Sequence, residues 1–455
     1  MRTLRGMFGL TRKNRSPLST ARQVDIDLLL RRNVEVLGLS FVRAATVITD
    51  ITPWNLKSLV GLERVKAAAE KVLQQFPSSV TECELSIRAV KDLKYPSTYA
   101  PPIEGSRAHI TLSDDTVEDP LRTVIEIAYQ YSAHFWQQMT DGRELDTNPR
   151  TTNLTPICCG LGVLASDACL YDENWSQAGW SGWSISRSGY YNAQEIGYAL
   201  ALFNRSRNES EPDWVSSLRL DSKVPYQKAQ RYFAAQQSNG YRLLYDSDKI
   251  PSTRCDPREL ADWLCGDDPV VAYASGLALI QLSDLPASVA TAAIETTQRG
   301  DDELAPLATR VLGRLRVLSP EVERCLERLM VRGQPSRQLA AFQSAHELGL
   351  SISRFQPQLS KLLDQPAIDP LPTIELIGQQ GHELSAMAPK VGQMLGMAIR
   401  HQEDLWAKQL IACLLRLVDN PRTVIEQAIR PPKLKQKALK LLKEADKVVE
   451  QDPTA

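Results

Sequence analysis

Histidine is scarce in this 455-residue chain: His109, His134, His346, His382 and His401 are the only five, and they are scattered. An imidazole-based metal or acid/base site therefore has few candidates. No two cysteines are spaced CxxC, which excludes a zinc ribbon and a thioredoxin-like redox motif. The eight cysteines, with Cys158 and Cys159 adjacent in an apolar stretch, suit the reduced thiols of a cytoplasmic protein rather than a disulfide framework. No apolar run approaches the ~18 residues of a membrane-spanning helix. Neither charge sign dominates: 53 Lys+Arg stand against 54 Asp+Glu, which argues against nucleic-acid or membrane-surface binding by the whole protein. No GxxxxGK[ST] loop, GxGxxG turn or GxSxG elbow occurs, which disfavours nucleotide and serine-hydrolase chemistry.

What is present describes a folded chain of two or three domains. Hydrophobic residues make up 43% of it and charged ones 24%, too apolar for disorder. The first 24 residues carry Arg2, Arg5, Arg12, Lys13, Arg15 and Arg22 and no acid. They read as a basic flexible tail; the same composition also fits an organelle transit peptide, but no apolar core follows to make a secretory signal. Asp25 to Ser40 reads as a short helix and Trp54 to Phe76 holds a clearer one, with Leu59, Leu62, Val65, Ala68, Ala69, Val72 and Leu73 at helical spacing. Thr81 to Val90 and Ala108 to Leu112 read as strands, with Pro96, Pro101 and Pro102 marking a loop between them. Helices are then expected from Asp119-Pro120 to Met139, from Pro156 to Leu170, from Asn192 to Arg207 and from Pro225 to Gln237. A polar loop bearing Trp175, Trp180, Trp183, Tyr190 and Tyr191 separates the second from the third. Those aromatics are candidate binding anchors; the competing role is packing over the domain's own core.

From Asp256 onward short amphipathic helices alternate with breakers. Asp268-Pro269, Asp301-Asp302, Pro335 and Asp369-Pro370 each open a helix, at successive starts of 268, 301, 335 and 369. Paired helices at such a period without strands resemble HEAT-type repeats and imply an all-α solenoid; a non-repetitive bundle is the alternative. Arg430 to Lys447 has seven Lys/Arg and two acids, with Leu434, Ala438, Leu441 and Leu442 on one face, and reads as a solvated terminal cap, with a basic interaction helix as the alternative. The expected domains are a basic tail (1–24), an α+β domain (25–245), helical repeats (256–430) and a basic C-terminal helix and tail (431–455).

A zinc peptidase needs two imidazoles four residues apart on one helix face and a carboxylate beside the first, to hold the ion and deprotonate its water. The segment Asp119-Pro120-Leu121-Arg122-Thr123-Val124-Ile125-Glu126-Ile127-Ala128-Tyr129-Gln130-Tyr131-Ser132-Ala133-His134-Phe135 resembles the site helix of a bacterial family of HExxH zinc-peptidase-like proteins. Two later blocks carry the same resemblance in order. They are Thr152-Asn153-Leu154-Thr155 with Gly160-Leu161-Gly162-Val163, and Gly189-Tyr190-Tyr191 with Glu195 and Gly197 to Phe203. The similarity spans roughly residues 95 to 237, and the departures fall on the chemistry. Tyr129 and Ala133 stand where the resemblance puts the two imidazoles, Gln130 where it puts the general-base Glu, and Asn153 where it puts an Asp. His134 is one residue out of register. Gln130 cannot serve as a base near neutral pH.

The resemblance therefore implies a pseudo-metallopeptidase. The expected fold is α+β and mostly helical, with this degenerate domain followed by the HEAT-like solenoid. The expected role is that of a non-catalytic interaction or scaffold protein, with no cofactor, a protein partner on the repeats, no membrane and no nucleic acid. The alternative is a divergent metal-dependent hydrolase with non-standard ligands, for which Glu126, Tyr129, His134, Asp167 and Glu195 would have to converge. His346-Glu347 and His382-Glu383 lack a second His four residues on and read as helix-surface pairs.

Overall fold

The computed structural model describes residues 16–78, 86–90, 95–101, 108–139, 148–169, 171–177, 180–186, 188–210, 212–238, 251–299, 302–366 and 368–451. These residues are mostly helical, and the chain divides into two compact units, Met1–Ile250 and Pro251–Ala455.

In the first unit, α1 (Thr20–Leu37) starts at Thr20 rather than Asp25, because the Ser19 hydroxyl caps the Arg22 amide at 3.4 Å. The last residues assigned to the basic tail are thus its first turn; residues 1–15 lie outside the described part. After α2 (Leu39–Ala44), two 3-10 turns occupy Thr52–Trp54 and Leu56–Ser58, so α3 (Gly61–Leu73) is shorter than its apolar spacing predicted. The left-handed Asn55 between the turns prevents a continuous helix there.

A small sheet follows: β1 (Ser86–Val90), β2 (Ser97–Ala100) and β3 (His109–Ser113), in the order β1-β3-β2. β1 runs parallel and β2 antiparallel to β3, with Tyr99 opposite Ile110. The Pro96–Pro102 segment read as a loop therefore contains a strand, while residues 81–85 of the expected first strand lie outside the described part. Ser113 caps α4 (Asp114–Glu118), and Asp119 accepts the Arg122 amide at 2.8 Å to open α5 (Pro120–Met139) where the Asp-Pro pair predicted it.

Beyond α6 (Pro149–Thr152), the expected single helix from Pro156 is broken. A π-helical turn over Ile157–Leu161 precedes α7 (Gly162–Ala168), and Gly160 within that turn has φ +84°. A Cβ on Gly160 would lie 2.2 Å from the Thr46 carbonyl oxygen, so only glycine admits that approach. The expected polar loop is instead an antiparallel hairpin, β4 (Tyr171–Gln177) with β5 (Trp180–Ser186), pairing Asn174 with Trp183 and Gln177 with Trp180. Aromatic residues favour the extended backbone, which polarity alone obscured. A capping box of Asn192 and Glu195 starts α8 (Ala193–Arg207); α9 (Leu220–Ser238) begins ahead of Pro225 and carries it internally. Buried side chains from α1, α3, α5, α7, α8 and α9 share one core.

The second unit's described residues form α10 (Pro257–Leu264), α11 (Pro269–Gln281), α12 (Ser288–Gln298), α13 (Leu304–Leu312), α14 (Pro320–Arg332), α15 (Pro335–Glu347), α16 (Gln356–Leu363), α17 (Leu371–Gln380), α18 (Ala388–Arg400), α19 (Asp404–Leu417), α20 (Pro421–Ala428) and α21 (Pro432–Gln451). Proline in the first turn opens several of them, where its missing N–H costs nothing. The odd-numbered helices from α11 to α21 pack each on the next, and α10, α12 and α14 form a second row. Polar contacts recur at nearly the same sequence offset. Ser344 donates to the Thr309 carbonyl at 2.8 Å across 35 residues, Thr296 to the Leu264 carbonyl at 3.4 Å across 32, and Lys437 to Asp404 at 2.9 Å across 33. α21 buries Ala438 and Leu442 against this core.

Candidate functional site

Glu126, Gln130 and His134 follow one another at four-residue steps on α5 and so share a face. Ser97 and Tyr99, two apart on β2, likewise share a face of that strand. The two faces meet. Ser97 Oγ donates to Glu126 Oε2 at 2.5 Å and accepts from Gln130 Nε2 at 2.6 Å. Ser188, ahead of α8, donates to Glu126 Oε1. One turn further along α5, Tyr99 Oη and His134 Nδ1 are hydrogen-bonded at 2.8 Å, their rings 5.6 Å apart.

The carboxyl and imidazole groups of this seam are buried, while Gln130 and Tyr99 are half-buried. Glu126 is 5% exposed, and burial pushes its carboxyl upward, against the pull of the two serine hydroxyls and of Arg122. His134 is 2% exposed; burial lowers its pKa, and among the described residues its Nε2 finds no hydrogen-bond partner. Tyr129 is 5% exposed, and Gly189 sits directly on its ring. A Cβ at Gly189 would come 2.6 Å from Tyr129 Oη, and its φ of +81° also favours glycine. Ala133 is buried beside it.

The blocks separated in sequence come together here. Asn153 Oδ1 accepts the Tyr190 amide at 2.6 Å, and Tyr191 Oη donates to the Arg150 carbonyl at 2.6 Å. Gln130 and His134 thus face β2, whereas Tyr129 meets Gly189 and Asn153 the neighbouring Tyr190, and two more residues expected of an altered metal site have other partners. Glu195 caps α8 and pairs with Arg22 at 2.6 Å. Asp167 interacts with Arg219 and Asp221, its carboxyl pushed up to about 6 by burial. Among the described residues no three His, Cys, Asp or Glu side chains come together to hold a metal.

The aromatic set divides. Trp175, Trp180 and Trp183 lie on the hairpin strands; Tyr190 is 39% exposed, with the Arg22 guanidinium 5.7 Å from its ring centre. Tyr191 is only 2% exposed, so it is a core residue and not a free anchor: its hydroxyl is tied to the α6 backbone and its ring stacks edge-on against Tyr190. The two His-Glu pairs of the second unit are occupied by near neighbours. Glu347 pairs with Arg310 at 2.6 Å, His346 bonds Gln380, and His382 stands 3.7 Å from Asp419. Ser97, Tyr99 and Ser188 were not singled out by sequence. The two-residue alternation of Ser97 and Tyr99 between prolines was the available signal.

No family model, curated protein or solved structure matches the chain. No helix among the described residues is long and apolar enough to cross a membrane.

Proposed function

We propose that this is a non-catalytic interaction or scaffold protein, in which a pseudo-metallopeptidase domain precedes a HEAT-like helical repeat domain that binds a protein partner. The observation that carries the first half is the buried Tyr129 ring under Gly189, which fills the place where the resemblance puts an imidazole. Gln130, in place of a general base, is spent on Ser97. The second half is supported by the helix-on-next-helix packing and by hydrogen bonds that recur about one helix pair apart. A cytoplasmic location accords with the seven described cysteines, all free thiols, of which Cys158 and Cys159 are fully buried.

The test is a peptidase assay on the full chain with a quenched fluorescent peptide mixture and added zinc. The expected result is no cleavage above buffer. Zinc-dependent cleavage that disappears in the His134→Ala protein would establish the divergent hydrolase instead.

A further inference from the structure

Four strands stand at sheet edges among the described residues: β1 and β2 flank β3, and β4 and β5 have only each other. An open edge is a row of unpaired N–H and C=O groups that another extended chain can join, and charges or prolines normally guard it. Three of the four edges are guarded in this way. β1 includes Arg88, β2 lies between Pro96 and Pro101, and β4 carries Asp172 and Glu173. β5 is Trp-Ser-Gly-Trp-Ser-Ile-Ser over Trp180–Ser186, seven residues with neither a charge nor a proline. Its Trp and Ile favour the extended backbone, yet a hairpin of two strands is marginally stable by itself in water. The hairpin is therefore an incomplete sheet with one unguarded side.

The order of residues in β5 also matches its own reverse. Antiparallel pairing about a two-fold axis at Trp183, the middle residue, sets Trp183 opposite its counterpart, Gly182 opposite Ser184, Ser181 opposite Ile185 and Trp180 opposite Ser186. The one like pair of large residues is aromatic with aromatic, a favourable cross-strand combination, and no like charges meet. The same operation on β4, centred on Asn174, would gather Asp172 and Glu173 of both copies into one ladder. We propose that β5 is a self-association edge: two copies of the chain pair β5 with β5, antiparallel, into a four-stranded sheet ordered β4-β5-β5-β4. The two β4 strands then lie three strand spacings apart, about 14 Å. That exceeds the Debye length of about 8 Å at physiological salt, so their acids do not oppose the pairing. Both outer edges of the new sheet are β4 strands with their carboxylates, so assembly closes at two chains instead of growing into a fibre.

The test is sedimentation velocity of the full chain over a range of concentrations. The wild type is expected to show a monomer–dimer equilibrium with no larger species. Trp183→Lys and Trp183→Glu each place like charges opposite one another on the axis, and each should weaken the dimer at least tenfold. An equimolar mixture of the two variants sets lysine opposite glutamate and should bring association back to within threefold of the wild type. Neither a misfolded hairpin nor an interface elsewhere on the chain would give that recovery. Glu173→Lys, on the strand that stays outermost, should change association less than twofold. A monomeric wild type overturns self-pairing, including one that takes up another protein's strand at β5. So does a dimer indifferent to charge at position 183, a mixture that fails to recover, or growth beyond two chains.

Discussion

The two units bury polar groups in different ways. In the first, the Glu126 seam gathers β2, α5 and the segment before α8: Ser97 and Ser188 reach Glu126 across 29 and 62 residues. In the second, the recurring bonds join a residue to one about a helix pair away, as Ser344 does with Thr309 across 35 residues. A seam built from distant pieces weakens when any piece is lost, because a buried carboxyl then loses one of its donors. A stack of near neighbours loses only the local bond. In the first unit the groups so gathered include a buried carboxyl, that of Glu126; the bonds named in the second involve hydroxyls and a surface ion pair.

The largest expected effect is from Tyr129→Ala. Removing the buried ring should cost about 3–5 kcal/mol, in line with other large aromatic truncations in cores. Denaturant unfolding followed through tryptophan fluorescence measures it; a loss under 1 kcal/mol would show that the ring does not fill the site.

Next in size is Ser188→Ala, which removes one of two donors to Glu126 and should cost about 1–3 kcal/mol. The same measurement on Ser344→Ala in the second unit should give only about 0.5–1.5 kcal/mol, the net worth of an ordinary hydrogen bond. Equal costs in the two units would erase the contrast between them.

A third effect separates the units by pH. Burial raises the Glu126 carboxyl, so the folded state holds its proton more tightly than the unfolded chain does. The stabilisation this gives is complete below the unfolded value of about 4.3 and is lost as pH rises through the raised folded value. Glu126→Gln should remove that loss, so the midpoint difference between pH 4 and pH 7 should shrink relative to the wild type. His134 acts oppositely. Its lowered pKa gives stability that is present above about pH 6.5 and lost as pH falls, and His134→Gln should flatten that acid-side loss. An unchanged pH profile in both variants would place these groups in contact with water. The smallest effect is expected at the surface: Arg299→Ala, breaking the exposed pair with Glu295, should change stability by less than about 0.5 kcal/mol.

Much of the helical framework was legible because its signals are local. The Asp119-Pro120 start of α5 and the openings of α11 and α15 at Pro269 and Pro335 stand where breakers and caps put them. Features that depend on a distant chain were not. Nothing near Gly160 discloses that the Thr46 carbonyl presses on it and breaks the helix. The strand around Tyr99 depends on pairing with β3, and prolines on both sides made it look like a loop. At the candidate site, Tyr129, Gln130 and His134 were legible from one helical stretch. Ser97 and Ser188 were not, because their role exists only once α5 lies between them.

The central claim is that the α5 seam is a closed structural core and holds no metal. The most direct measurement is the metal content, by inductively coupled plasma mass spectrometry, of the wild type and His134→Ala proteins purified without chelators. The account predicts zinc far below one equivalent in both. One zinc per chain in the wild type, absent from His134→Ala, would contradict it.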